Sequence, residues 1–470
     1  LAIGQSLGND DYATITYTSG TTADPKGVIL THRNYTANVE QALTCVDIDD
    51  TWRTLVILPL DHCFAHVVGF YIFMSKGASV ATVQVGRTGM ETLKNIPVNI
   101  KEFKPDLILS VPALAKNFKK NIEQGIRARG KNAVRLFNLA LRIGYIYNGD
   151  SDEEEGKGFR ILLKPLVRLF DKLLFAKVRE NFGGELKFFI GGGALLDKDL
   201  QKFYYALGIP MYQGYGLSEA TPIISTNGPR RHVFGSSGVL VRPLDLKICD
   251  MDGNVLPPGE KGEIVIRGEN VMAGYWKNPQ GTAEALRDGW LHTGDMGYMY
   301  DSEYLYVVGR FKSLLISSDG EKYSPEGFED SLTDGSKYIE QVILHNNQDP
   351  YTIVLIVPAK DALKEYVSSK GLDPATREGK EAMLKKIQEE IDSYKKGGSH
   401  EGMFPERWLP AAVAVLPEPF TEQNGLVNST MKIVRGKVEK HYADRIEYAY
   451  TAEGKNLRSE EHTSELQSLV

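Results

Sequence analysis

Four short, strongly apolar runs, at residues 52–58, 78–83, 107–111 and 186–190, are separated by helix-length segments over the first three hundred residues. Hydrophobic side chains at successive rather than alternate positions predict strands buried on both faces. Such strands alternating with helices predict a mostly parallel sheet covered on each side. From 238 to 267 the texture changes to period-two alternation broken by the turns Asp250-Met-Asp-Gly253 and Pro257-Pro-Gly259, which predicts antiparallel β structure closing the large domain. Around 309–314 the pattern resets. Strands at 341–344 and 352–358 and a charged helix at 376–396 then predict a small α+β domain on a hinge. The expected fold class is therefore α/β: a large N-terminal domain of α/β layers plus a β subdomain (1–308), a hinge linker (309–314), and a small mobile α+β C-terminal domain (315–458).

A length of 470 residues gives ample core for such an arrangement. A formal net charge of −6 removes the global electrostatic case for a nucleic-acid binder, because a phosphate backbone meets a slightly repulsive molecule. Cys45, Cys63 and Cys249 are widely spaced and form no CxxC pair, so neither a zinc knuckle nor a disulfide framework is indicated and a reducing cytosol is expected. No apolar run reaches the roughly 18–20 residues of a membrane span. Residue 1 is Leu and lies close to the strand-like run at 13–17, so upstream coding sequence is expected to be missing. Residues 459–468, SEEHTSELQS, resemble the translation of a sequencing-adapter oligonucleotide, and 459–470 are set aside as a tail of that origin; a natural disordered tail is the alternative.

The most informative segment is Tyr17-Thr-Ser-Gly-Thr-Thr-Ala-Asp-Pro-Lys-Gly27, placed directly after a predicted strand. Thr18, Ser19, Thr21 and Thr22 offer hydroxyls, Gly20 allows close backbone approach, and Lys26 supplies a cation. These are the needs of a bound polyphosphate. The lysine precedes the second glycine, so the G-x-x-x-x-G-K-[ST] order of a Walker loop is absent.

This loop closely resembles the phosphate-loop signature of the AMP-forming acyl-CoA synthetases, the superfamily that includes amino-acid adenylation domains and luciferases. Further motifs follow in that family's order. Tyr212-Gln-Gly-Tyr-Gly-Leu-Ser-Glu-Ala-Thr221 is similar to the adenylate-binding motif, Trp290-Leu-His-Thr-Gly-Asp295 to the ribose motif, and Gly309-Arg-Phe-Lys-Ser-Leu314 to the interdomain linker. Gly262-Glu-Ile-Val-Ile-Arg-Gly268 and Gly274-Tyr-Trp276 also fit, and the resemblance spans Asp10 to about Tyr450.

The resemblance implies ATP, Mg²⁺ and the co-substrate CoA. It implies that Thr18, Ser19, Gly20, Thr21, Thr22 and Lys26 meet the phosphates, and that Gln213, Gly214, Tyr215, Gly216 and Ser218 meet the adenylate. Gly192, Gly193 and Ala194 follow an apolar strand, where absent side chains let a flat adenine approach the backbone. Glu219 is expected to hold Mg²⁺, a hard cation that takes oxygen ligands and keeps substrate phosphate and water. Asp295 resembles the carboxylate that accepts the ribose hydroxyls, Arg310 the second ribose contact, Lys312 the hinge position, and Lys432 the C-terminal catalytic lysine, with Thr18 and Glu219 beside it in catalysis. Thr430-Met431 replaces the usual Asn-Gly before that lysine, and Ile316 stands where many relatives have a second one. His62, Phe64 and His66 fall in the acyl-site motif, where either histidine has a structural role or touches substrate.

Between the strands ending at 111 and 190 lies a long basic helical stretch, with eight Lys/Arg against one acid over 116–142 and seven against one over 157–179. Lys164, Arg168 and Lys172 recur every four residues beside Leu162, Leu166, Leu169, Leu173 and Leu174, so one helix face is expected to be cationic and another apolar. That pattern reads either as a helix packed on the body with a solvated charged face or as peripheral attachment to anionic lipid. The stretch is similar to the long-chain fatty acyl subfamily. The resemblance thus implies a long-chain fatty acid CoA ligase, and a cytoplasmic location, peripheral on the inner face of the membrane in the lipid-attachment reading, is expected. A fatty acyl-AMP ligase or acyl-ACP synthetase is the alternative acceptor reading, and a catalytically dead relative is disfavoured by joint retention of Lys26, Glu219, Asp295, Arg310 and Lys432.

Overall fold

The computed structural model describes residues 6–18, 25–87, 89–149, 160–301, 303–427 and 433–457, apart from the side chains at 89, 90, 93 and 312. The chain forms two compact units that divide in sequence between Val307 and Val308.

In the large unit, β1 (Tyr12–Thr18) and β2 (Lys26–Thr31) pair antiparallel, and Gly274–Tyr275 adds a third strand alongside β2. The main sheet opens with five parallel strands, β3 (Arg53–Val56), β4 (Ser79–Thr82), β5 (Leu107–Ser110), β6 (Phe188–Gly191) and β7 (Met211–Gly216), in the order β4-β3-β5-β6-β7. All four predicted apolar runs form strands among them, but β4 lies at the edge of the sheet and is partly exposed rather than buried on both faces. Period-two geometry sends Leu107, Leu109, Phe188 and Ile190 to one core and Ile108 and Phe189 to the other, which is why these strands read as continuously apolar.

Hydrogen bonding continues from β7 into antiparallel strands. These are β8 (Ile223–Thr226), β9 (Val239–Leu240), β10 (Asp245–Cys249), β11 (Gly262–Arg267), β12 (Gly274–Tyr275, the strand beside β2), β13 (Leu286–Arg287), β14 (Trp290–Tyr300) and β15 (Tyr304–Arg310). All but β12 extend the main sheet, in the order β8-β9-β15-β14-β11-β10 with β13 on β14. The expected α/β layers with an antiparallel extension are thus observed.

Helices cover both faces. On one, His32–Ala42 starts with a reciprocal cap: Thr31 Oγ1 accepts from the Asn34 backbone N–H (3.2 Å) while Asn34 Oδ1 accepts from the Thr31 N–H (2.8 Å). On the other lie Pro112–Arg127, Lys131–Asn148, Lys198–Ala206 and an irregular helical run from 161 to 182. Here the leucines grouped by the sequence spacing are not the residues that pack on the core. Residues Asp171–Phe175 form a π-helical turn between the α-helices Lys164–Phe170 and Ala176–Arg179. The wider turn lets Phe170 and Phe175, five apart, both face the core with Val178. Leu174 packs partly against them, but Leu162, Leu166, Leu169 and Leu173 are exposed, as are Lys164, Arg168 and Lys172.

The small unit places β20 (Ile353–Pro358), buried along its whole length, between β18 (Ile339–His345) and β21 (Ala412–Val415). The preceding short strands β16 (Leu315–Ser317) and β17 (Lys322–Tyr323) form a second sheet with β19 (Asn347–Asp349). Helix Arg377–Asp392 sits within the predicted 376–396 span, opened by Thr376 Oγ1 accepting from Gly379 N. Arg435 grips Glu329 with two hydrogen bonds of 2.7 and 2.8 Å. No helix among the described residues is long and apolar enough to cross a membrane.

Candidate active site

A cleft of about 760 Å³ opens in the large unit where β6 and β7 end, as crevices do at the carboxyl ends of parallel strands. Gly192 and Gly193 form one wall. A β-carbon on Gly192 would come within 3.0 Å of the Phe64 ring, so the aromatic ring takes the room a side chain would need. Gly214, Tyr215 and Ser218 form the opposing edge, and Val46, Val68, Ile72 and Leu107 make the depth apolar. A β-carbon on Gly216 would lie 2.0 Å from the Pro222 carbonyl oxygen, so the close approach of β7 to the start of β8 requires glycine.

Two carboxylates reach this region, each orienting a tyrosine. Tyr215 Oη donates to Asp295 Oδ2 at 2.7 Å, and Tyr275 Oη donates to Glu219 Oε1 at 2.8 Å. Burial, reinforced by the Glu219 charge, pushes the Tyr275 phenol well above its ordinary range, so it stays a donor at any physiological pH. Its ring also carries Lys26, whose Nζ lies 4.7 Å from the ring centroid. Three motifs far apart in sequence, the phosphate-loop lysine, the adenylate-motif glutamate and the Gly274-Tyr-Trp276 segment, are thereby linked through one side chain.

Thr18 pairs with Lys26 across β1 and β2. His62 and Phe64 line the cleft. His66 stacks on Tyr71 at 4.5 Å and meets the Tyr35 ring edge-on at 5.7 Å; its burial pushes the imidazole pKa down. Gln213 lies behind the wall, where Oε1 accepts from Leu196 N (2.8 Å) and Nε2 donates to the carbonyls of Gly214 (2.7 Å) and Ala194 (3.3 Å). It braces the Gly192–Ala194 turn. Arg310 and Lys312 belong to the small unit, Arg310 as the last residue of β15 and Lys312 in the turn Phe311–Ser313. Ser19, Gly20, Thr21, Thr22, Lys432 and the 459–470 tail lie outside the described residues.

Sequence reading missed the framework that holds these groups. Asn38 and Gln41, on helix His32–Ala42, and Asn270 are buried. Asn38 brackets Ile223, donating to its carbonyl (2.9 Å) and accepting from its N–H (3.0 Å). Asn270 donates to Ala220 O (2.8 Å), and Thr221 Oγ1 donates to Asn270 O (2.6 Å). The turn after Glu219 is therefore fixed by side-chain amides. Glu263 does the same for the ribose-like motif: its carboxylate is 2.8 Å from His292 Nδ1 and accepts from Gly294 N at 3.0 Å, one residue before Asp295. The signal available was three amides, Asn34, Asn38 and Gln41, at i, i+4 and i+7 on one helix.

The chain matches the AMP-binding enzyme family over residues 3–276 and the AMP-binding enzyme C-terminal domain over residues 312–454. It is 31% identical over 455 residues to the long-chain-fatty-acid–CoA ligase FadD15 of Mycobacterium bovis, covering 95% of this chain and 71% of that protein. It is 30% identical over 481 residues to the chloroplastic long-chain-fatty-acid–[acyl-carrier-protein] ligase AEE15 of Arabidopsis thaliana, covering 95% of this chain and 62% of that protein. The chain thus spans less than two thirds of the plant relative's length. Among solved structures, the O-succinylbenzoate coenzyme A synthetase of Bacillus subtilis in complex with AMP shares the fold, with a TM-score of 0.63 at 21% identity over 92% of this chain and 70% of that one.

Proposed function

This chain belongs to the AMP-binding enzyme family, and from that premise we propose that it activates long-chain fatty acids. The fatty carboxylate attacks the α-phosphorus of ATP, pyrophosphate leaves, and the CoA thiolate then displaces AMP from the acyl-AMP to give acyl-CoA. The observation that carries this reading is a cleft lined by Gly192, Gly193, Tyr215 and Ser218, with Asp295 bonded to Tyr215 and, directly after Ser218, Glu219 joined through Tyr275 to Lys26. The apolar depth of that cleft suits an aliphatic chain, and FadD15 is itself a long-chain-fatty-acid–CoA ligase.

In this reading adenine lies on the Gly192–Ala194 wall, braced by Gln213 and facing Gly214, Tyr215, Gly216 and Ser218. Asp295, oriented by Tyr215, accepts the ribose hydroxyls, with Arg310 as second contact. Thr18, Ser19, Gly20, Thr21, Thr22 and Lys26 surround the phosphates. Lys432 offsets charge developing between carboxylate and α-phosphate. His62 and Phe64 border the acyl group, and His66 supports them from its aromatic cluster. Residues 1–308 and 315–458 act as the two domains, the smaller turning about Lys312 between the two half reactions.

Among the described residues no three His, Cys, Asp or Glu side chains converge as a metal site. A lone half-buried carboxylate, Glu219, fits Mg²⁺ because that ion completes its shell with substrate phosphate and water. When bound, Mg²⁺ neutralises the departing pyrophosphate. We assign a cytoplasmic location with peripheral contact at the inner face of the membrane.

AEE15, a ligase for an acyl-carrier protein, supports a second reading in which only the acceptor differs. Palmitate-dependent ATP–pyrophosphate exchange tests the shared first half reaction, and AMP release with CoA against release with holo-acyl-carrier protein tests the second. Exchange without dependence on fatty acid would overturn both readings.

A further inference from the structure

The large unit holds a second cavity, of about 700 Å³, at the other end of the strands that frame the cleft. Lys187 and Trp52, which line it, immediately precede β6 and β3, so it opens at the amino ends of the parallel strands. Its depth is aromatic where that of the cleft is aliphatic. Trp52, Phe188 and Tyr212 are all buried there and form a series of edge-to-face rings, Trp52 to Phe188 at 5.8 Å and 66°, Phe188 to Tyr212 at 5.4 Å and 61°. Another flat ring extends such a series with a gain beyond the area it buries.

The lining carries two cations, Lys187 and Arg230, against one carboxylate, Asp47. Asp47 pairs with Arg230, and the two side chains are 71% and 67% exposed. An exposed pair of this kind contributes little, so a ligand carboxylate can replace Asp47 on the guanidinium at small cost. Lys187 Nζ lies 3.8 Å from the Trp52 ring centroid and 3.3 Å from Asp106 Oδ1. Asp106 divides its charge between Lys187 and Arg53, whose backbone N–H and Nε donate to it at 2.9 and 3.4 Å, so the ammonium is only partly neutralised. Asp49, a further carboxylate that acts on Lys187, already accepts from the Thr51 N–H at 2.9 Å and from the Thr51 hydroxyl. Cys45 is also on the lining, and burial pushes its thiol pKa up, so it adds no negative charge.

We propose that this cavity binds a small, flat aromatic carboxylate. The ring lies against Trp52, Phe188 and Tyr212, and the carboxylate takes the place of Asp47 on Arg230 with Lys187 alongside. Ring and charge are both required, since rings alone would admit any apolar group and cations alone any anion. No lining residue is shared with the cleft, so the binding stands or falls independently of the ligase activity. Phe188 and Ile190, about 7 Å apart on one face of β6, line the two cavities in turn, which makes an acyl chain reaching across from the cleft the competing occupant.

Alkylation of Cys45 by N-ethylmaleimide in the full chain, followed by peptide mass spectrometry, reads occupancy at the cavity itself, because Cys63 and Cys249 are buried. 2-Naphthoate should protect Cys45. The alcohol 2-naphthalenemethanol keeps the ring without the charge and decanoate keeps the charge without the ring, and each should need at least about tenfold more for the same protection. Calorimetric titration with 2-naphthoate gives a readout that does not depend on the thiol. Arg230→Gln, a change at an exposed side chain, should weaken binding by at least about tenfold in both measurements, with palmitate-dependent pyrophosphate exchange unchanged. Trp52→Leu should weaken it similarly with far-UV circular dichroism unchanged; where that signal is lost, Arg230→Gln decides alone. Equal protection by the alcohol or by decanoate, wild-type affinity in Arg230→Gln, or neither protection nor heat at millimolar 2-naphthoate would overturn the proposal. So would protection of Cys45 by palmitate, since the cavity would then be the far end of the acyl cleft.

Discussion

Replacing Asn38 by Ala removes a fully buried amide that makes three hydrogen bonds: to the Ile223 carbonyl, from the Ile223 N–H, and to Gln41 Oε1 at 3.1 Å. The Ile223 N–H is then left without its partner in the core, at a cost of about 1–3 kcal/mol. The Ile223 carbonyl keeps only a long contact from Asn270 Nδ2 at 3.4 Å, adding about 1 kcal/mol more. The expected loss is about 2–4 kcal/mol, a large share of the roughly 5–15 kcal/mol that hold a folded unit together. Guanidinium unfolding followed by near-ultraviolet circular dichroism measures it as a lower midpoint at unchanged slope. Asn38→Leu separates the causes, because it restores volume without restoring the bonds. A loss under about 1 kcal/mol, or recovery in Asn38→Leu, would refute the view that amide hydrogen bonds, rather than packing, fix the turn after Glu219.

Tyr275→Phe keeps the ring beneath Lys26 but removes the bond to Glu219, so the adenylation kcat should fall about tenfold with the fatty-acid KM unchanged; pyrophosphate exchange at wild-type rate would show that Glu219 needs no orienting. Lys432→Ala should abolish acyl-AMP formation while sparing conversion of supplied acyl-AMP to acyl-CoA, and equal slowing of both halves would contradict the assigned division of labour. Burial lowers the His66 pKa from its ordinary value near 6.5, so in acid the unfolded chain takes up a proton the folded chain refuses. Stability should therefore fall as pH drops below about 6.5, and His66→Phe should show a shallower fall in Tm between about pH 7.5 and 5.5; identical slopes would remove His66 from the acid response.

The parallel strands were legible because burial on both faces leaves an unbroken apolar run, and Leu107–Ser110 and Phe188–Gly191 have both faces buried. The glycine wall was legible because side-chain-free positions directly after a strand have few other uses, and Gly192 faces the Phe64 ring. The phase of the 161–182 run was not. The π turn Asp171–Phe175 brings Phe170 and Phe175, five apart, to one core, a spacing that a fixed 3.6-residue count does not pair. The amide framework escaped for a different reason. Asn38, Gln41 and Asn270 count as polar in any periodicity, although their partners are backbone groups of the Ala220–Ile223 turn, the Pro243 carbonyl and each other, most of them distant in sequence and invisible until the fold brings them together. The same distance hid Tyr275, which joins Lys26 to Glu219 only because the strand Gly274–Tyr275 lies against β2.

Mass-spectrometric detection of acyl-AMP tests the central claim most directly. Incubated with palmitate, ATP and Mg²⁺ in the absence of CoA, the protein should accumulate palmitoyl-AMP and pyrophosphate in equal amounts, and adding CoA should convert that pool to palmitoyl-CoA and AMP. Formation of ADP and phosphate with no acyl-AMP, or acyl-AMP formed equally well by an Asp295→Ala, Glu219→Ala double variant, would contradict the assignment of adenylation to this cleft.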